Sequence, residues 1–77
     1  MAYKTKVSLK NVRPETIEKA VGWCIFCVKR DRTFAFHREG NFIIINSPTR
    51  DQAYKRGEAL HKRYGLFFNV EKQSSAL

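Results

Sequence analysis

The sequence predicts an α+β domain: a two-layer α/β sandwich in which an antiparallel sheet carries two helices on one face. Three observations lead there. Tyr3 to Lys10 alternates apolar or neutral residues with lysines and Ser8, the period of a half-buried strand. Thr49-Arg50-Asp51-Gln52 has the form of a capping box and heads an amphipathic helix that ends at Gly65. Between them, Glu39-Gly40-Asn41 is a hairpin turn with apolar, β-branched and aromatic runs on either side.

In chain order, the first strand puts Tyr3, Thr5, Val7 and Leu9 on one side and Lys4, Lys6, Ser8 and Lys10 on the other. Pro14 suits a first helical turn, and Ile17, Ala20 and Val21 have the spacing of a buried helical stripe. Gly22 offers a stop. Trp23–Val28 reads two ways. Its residues are mediocre helix formers and favour a sheet, so a short central strand is expected. By spacing alone the helix could run on, with Ile17, Ala20, Val21, Cys24, Ile25 and Val28 on one stripe.

Asp31-Arg32 then leads into a strand over Thr33–Arg38, and Phe42–Asn46 forms the next. The second helix turns Ala53, Gly57, Leu60 and Tyr64 inward, with Gly65 in the position where glycine escapes the left-handed penalty. Leu66–Val70 reads as the last strand, and residues 73–77 as a flexible tail beyond a single domain over residues 1–72. The expected order is β-α-β-β-β-α-β. A helical Trp23 run makes it β-α-β-β-α-β, the ferredoxin-like alternative.

Two families share parts of this order. Val7-Ser8-Leu9-Lys10-Asn11-Val12 is similar to the first-strand signature of RNA-recognition motifs, and Arg32–His37 partly matches the other. Ser8 and Thr33 depart from the aromatic and glycine of those signatures. Phe42–Asn46 also intervenes where the second helix should follow. The stretch from Thr33–Phe36 through Glu39-Gly40-Asn41 and Phe42–Asn46 to the helix Asp51–Tyr64 resembles one repeat of the TATA-binding-protein fold. That resemblance implies DNA binding in a widened minor groove through an apolar concave sheet. Two repeats make that saddle and this chain holds one, so it also implies a homodimer or loss of the DNA function.

Charge points to the partner. Lys and Arg number 15 against 7 acids, a formal net charge of +8. Nucleic acid is the favoured partner, and an acidic protein surface, met by a small modulator or inhibitor, is the alternative. No apolar run approaches the ~20 residues of a spanning helix, so no membrane partner is expected. The first residues contain no apolar signal segment, which suggests a cytoplasmic or nuclear rather than secreted protein with reduced cysteines.

The candidate phosphate contacts form three groups. Lys29, Arg30, Arg32 and Arg38 crowd the middle hairpin. Lys55, Arg56, Lys62 and Arg63 pair at i and i+7 and should gather on the outward side of the second helix, with only Glu58 among them. Lys4, Lys6 and Lys10 line the polar side of the first strand, where lysines also discourage edge pairing.

Trp23, Phe34, Phe36, Phe67 and Phe68 could stack on bases, although a core this thin needs most of its large side chains. Apolar residues occupy both alternations of the hairpin strands. An apolar outward sheet face is therefore expected, open to a ligand or a second copy of the chain.

Cys24 and Cys27, with His37 and His61, raise a zinc or redox reading. On a strand, i and i+3 face opposite ways, so packing is the expectation, with no cofactor and no metal. Neither an acid/base couple nor a phosphate loop nor a nucleophile motif occurs, and a non-enzymatic binding domain is expected.

Overall fold

The computed structural model describes residues 2–73. The elements are β1 (Ala2–Ser8), α1 (Pro14–Arg30), β2 (Ala35–Glu39), β3 (Phe42–Ser47), α2 (Arg50–Tyr64) and β4 (Phe68–Gln73). The strands form one antiparallel sheet in the spatial order β2-β3-β1-β4. This is the ferredoxin-like arrangement, α+β with two helices on one face of the sheet.

The seven-element order is not formed, because α1 runs through Gly22 and absorbs the whole Trp23–Val28 segment. Low helix propensity is outweighed by burial: Ala20 and Cys24 are completely covered, and Ile17, Val21, Trp23 and Cys27 pack around them. The buried stripe is also rotated from the expected one. Ile25 and Val28 remain 46% and 42% exposed, and Cys27 takes an inward place instead. Gly22 faces open space and ends nothing.

α1 stops where Asp31 turns extended and donates its N–H to the Cys27 carbonyl at 2.8 Å. α2 begins as expected, the Thr49 hydroxyl accepting from the Gln52 N–H at 3.2 Å. The reciprocal half of the capping box is not made, since the Gln52 side-chain oxygen finds no partner among the described residues. Gly65 closes α2 at φ 71°, donating its N–H to the His61 carbonyl.

Register decides which side chains meet the helices. Thr5 lies opposite Ile45 and Val70, and Val7 opposite Ile43 and Phe68, so these residues share the helix-covered face with Phe36. The core is built from Val7, Leu9, Ala20, Cys24, Phe34, Ile43, Ile45, Leu60 and Leu66. Buried Thr5 is satisfied by donating its hydroxyl to the Ala53 carbonyl at 2.8 Å.

β4 starts two residues later than expected. Leu66 is instead a core residue and Phe67 is 74% exposed. The backbone of Gln73 closes β4 opposite Ala2, and the rest of the expected 73–77 tail lies outside the described residues.

The opposite sheet face is not the apolar surface expected. It carries Lys4, Lys6 and Ser8 from β1, Phe42, Ile44 and Asn46 from β3, His37 and Glu39 from β2, and Asn69 and Glu71 from β4. Ile44 is only 4% exposed, with Lys6 and His37 as its cross-strand neighbours. Lysine stems cover apolar surface while their ammonium groups reach water. The apolar surplus has moved to the helical layer, to Ile25, Phe26 and Val28 of α1 and Tyr54 of α2. No helix among the described residues is long and apolar enough to cross a membrane.

Candidate nucleic-acid interface

The two helices lie side by side on the sheet and leave a groove between the last turns of α1 and the middle of α2. Its volume is about 330 Å³, and Trp23, Phe26, Cys27, Arg30, Asp31, Phe34, Lys55, Arg56 and Ala59 line it. The floor is aromatic: Trp23 meets Phe34 edge-on at 5.8 Å between ring centroids, and Phe34 meets Phe36 in the same manner. Phe26 stands at the rim, 52% exposed, with the Arg30 guanidinium 5.2 Å from its ring centroid.

α1 places these residues because the flank beside its buried stripe carries half-buried Trp23 and Cys27 and exposed Phe26 and Arg30 at helical spacing. α2 supplies Lys55, Arg56 and Ala59 from the flank that faces α1.

The candidate cations are divided by this geometry. Arg30, Lys55 and Arg56 line the groove. Arg63 does not line the groove but is exposed two turns beyond Arg56 on the same flank of α2. Lys29 and Arg32 flank the same end, exposed on either side of Arg30 and Asp31. They belong to the end of α1 and its following loop, not to the hairpin as expected. Among the described residues, Lys29, Arg30, Arg32, Lys55 and Arg63 form no ion pair.

The remaining candidates lie elsewhere. Arg38 is on the far side of α1, in a second groove with Pro14, Ile17, Glu18, Val21 and Ile25. Lys62 shares the flank of Lys55 on α2 but pairs with Glu58 at 3.9 Å and does not line the groove. Lys4 and Lys6 approach Glu71 on the open sheet face at 4.0 and 3.9 Å, and Lys6 also sits 4.7 Å from the centroid of Phe42. Lys10 is exposed in the turn after β1.

Arg56 is not on the outward side of α2; it is buried. One terminal nitrogen donates to the Ser47 hydroxyl at 2.7 Å and the Asn46 carbonyl at 3.3 Å. The other donates to Asp31 Oδ2 at 3.0 Å and to the Thr33 hydroxyl at 2.9 Å. Its i+7 relation to Arg63 shows only that the two share a flank, and that flank faces α1.

Asp31 is thereby neutralised. Thr33 donates both its hydroxyl and its N–H to Asp31 Oδ1, and these bonds, with Arg56 behind them, hold the carboxyl below its ordinary pKa. Among the described residues it is the only carboxylate lining the groove, and Arg56 has claimed it.

The helix changes the reason for setting the cysteines aside. Cys24 and Cys27 now share one face of α1 rather than opposing faces of a strand. His37 pairs with Glu39 on the open sheet face, and His61 donates Nδ1–H to the Leu66 carbonyl at 3.0 Å in the helical layer. Among the described residues no three His, Cys, Asp or Glu side chains are placed to hold a metal. Burial pushes the Cys24 thiol up to about 12, the opposite of what redox chemistry needs.

Neither the second groove nor the role of Phe26 was drawn from the sequence. The signal for Phe26 is its offset from the Ala20–Cys24 stripe, legible only once the segment is helical.

No family model matches the sequence, and no curated protein matches it. Among solved structures the chain is similar to a de novo designed protein, Ferredog-Diesel. The TM-score is 0.51 at 14% identity, over 94% of this chain and 85% of that one. At such identity the likeness concerns the fold alone, and it supports the ferredoxin-like assignment.

Proposed function

We propose that the chain is a nucleic-acid-binding module that contacts phosphates through its helical layer, with Arg30, Lys55 and Arg63 at the centre of the contact and Lys29 and Arg32 extending it. The observation that carries this reading is the gathering of ion-pair-free cations around a groove whose carboxylate is already held by Arg56. Each phosphate neutralised releases condensed counterions, so cations without a protein partner contribute most to such binding. The net charge of +8 adds long-range attraction. Lys4, Lys6, Lys10 and Arg38 lie away from the groove and Lys62 is paired with Glu58, so these add to that general field only.

The test is a fluorescence-anisotropy titration with labelled single- and double-stranded DNA and RNA at low and near-physiological salt. Saturable binding should persist near 0.15 M salt, where screening acts within ~8 Å. Replacing Arg30, Lys55 and Arg63 by alanine should weaken it and reduce the logarithmic salt slope by about 2–3. Equal, salt-abolished binding of every polyanion counts against the reading.

A second reading is favoured by the exposure of Phe26 beside Arg30. An acidic protein segment with apolar anchors would suit that surface. It should be captured specifically from nuclease-treated mixtures and lost on Phe26→Ala.

A further inference from the structure

We infer that the groove between α1 and α2 accepts an unpaired base of a single strand, stacked on Phe26 and covered by Trp23, while Arg30 and Lys55 hold the flanking phosphates. This rests on the nucleic-acid reading and adds the form of the ligand to it. Phosphate contacts alone cannot distinguish duplex from single strand, because both present the same anions. The groove floor can. Its lining joins three aromatic rings to cations on both banks, Arg30 from α1 and Lys55 from α2. A duplex passing over those banks would meet the cations and leave the ring faces unused, because its bases are already stacked on one another. A single strand can turn a base into the groove, where an aromatic face accepts any base and Arg guanidinium planes extend the stack.

Exposure and charge both favour this occupant. Phe26 is half exposed, and the Arg30 guanidinium lies 5.2 Å from its ring centroid. The groove offers donors and rings, and Asp31, its carboxylate, is engaged by Arg56 and Thr33. A flat π-system flanked by anions complements that set. The open sheet face offers a poorer platform: Phe42 is less exposed than Phe26, and Glu71 draws on the ammonium groups of Lys4 and Lys6, the cations nearest to it.

Trp23 is the only tryptophan in the chain and lines the groove, so its emission reports on occupancy. The wild-type chain is titrated with a short oligothymidylate, a self-complementary DNA duplex and inorganic polyphosphate, following Trp23 fluorescence and anisotropy together. The oligothymidylate should change Trp23 emission, and the other two should bind without doing so. Phe26→Ala should weaken the single strand on the order of ten-fold, a loss typical of one stacked base, and leave duplex and polyphosphate unchanged. Phe26→Tyr should restore the wild-type affinity, which a merely unfolded variant could not.

If single strand and duplex bind near 0.15 M salt with equal affinity and Phe26→Ala alters neither, the base-stacking inference falls and the phosphate reading survives. If no nucleic acid binds at that salt, both fall together. A Trp23 response to an acidic amphipathic peptide but not to oligothymidylate would likewise overturn the inference in favour of a protein partner.

Discussion

Arg56 Nη2 lies 3.0 Å from Asp31 Oδ2, and this contact joins the middle of α2 to the residue that ends α1. The same guanidinium reaches Ser47 at the end of β3 and lies 4.7 Å from the centroid of Phe34. One side chain that lines the groove thus ties both helices to the sheet. A fork of five donors can satisfy that many partners, and a lysine cannot.

Arg56→Ala is therefore expected to act on stability first. It strands buried acceptors at Ser47 and Asn46 and removes the cation from the Phe34 ring, at a cost of about 2–4 kcal/mol. Arg56→Lys should recover only part of the loss. Urea denaturation followed by circular dichroism measures both. A folded, fully stable Arg56→Ala variant with weakened nucleic-acid binding would show that Arg56 is a surface contact after all.

The Asp31 and Glu39 carboxyls give the fold a defined response to acid. Thr33 holds Asp31 below its ordinary pKa, and a hydrogen bond from His37 does the same for Glu39. A carboxyl that resists protonation in the folded chain favours unfolding once protonated. Its contribution is complete above the unfolded value, ~4, and is lost as pH falls through the folded value. The urea midpoint should therefore hold between neutral pH and about pH 5 and decline below about pH 4. Asp31→Asn and Glu39→Gln should each flatten that decline, and an unaltered acid limb in both variants would assign it to other groups.

Much of this architecture is legible in the sequence, and the parts that are not share a cause. Although the first strand ends at Ser8 and leaves Leu9 and Lys10 outside it, the alternation from Tyr3 to Ser8, the Gly40 turn at φ 55° and the Thr49 cap depend on neighbours in sequence, and each appears where expected. The Trp23–Val28 segment does not, because propensity and packing pull it opposite ways. Burial of Ala20 and Cys24 in one core with Phe34, Ile43 and Leu60, residues distant in sequence, decides for the helix. Arg56 presents the same difficulty at the site. Beside Lys55 it looks like one more surface cation, and only the folding-together of Asp31, Thr33 and Ser47 makes it structural.

Gly57 is placed for the approach of β4. A Cβ built there would lie 2.3 Å from Cδ2 and 2.6 Å from Cγ of the Phe68 ring, so the base of that ring, not a movable tip, stands in the way. Gly→Ala in a helix interior ordinarily stabilises by about 1 kcal/mol. Here the sign should reverse, with overpacking costing about 1–3 kcal/mol. Phe68→Ala, which removes Cγ and the ring, should be destabilising alone yet make Gly57→Ala tolerable, a coupling that a double-mutant cycle in urea detects. Additive losses would show that β4 shifts to admit the methyl group.

The two cysteines provide a chemical probe of the groove. An exposed thiol ionises near about pH 8.5, whereas burial lifts Cys24 to about 12 and, more weakly, raises Cys27. For Cys27 the guanidinium groups of Arg56, Arg63 and Arg30 oppose burial, and Asp31 reinforces it. In the native chain at mildly alkaline pH, iodoacetamide should modify Cys27 slowly and Cys24 hardly at all. Both should react promptly in denaturant. Because Cys27 lines the groove, an anionic ligand bound there would cover the thiol and weaken the field of those arginines. Cys27 modification, read by mass spectrometry, should then slow as oligothymidylate is added and regain its rate at high salt. Unchanged modification of Cys27 at saturating oligonucleotide would place the bound strand outside this groove, whatever its affinity.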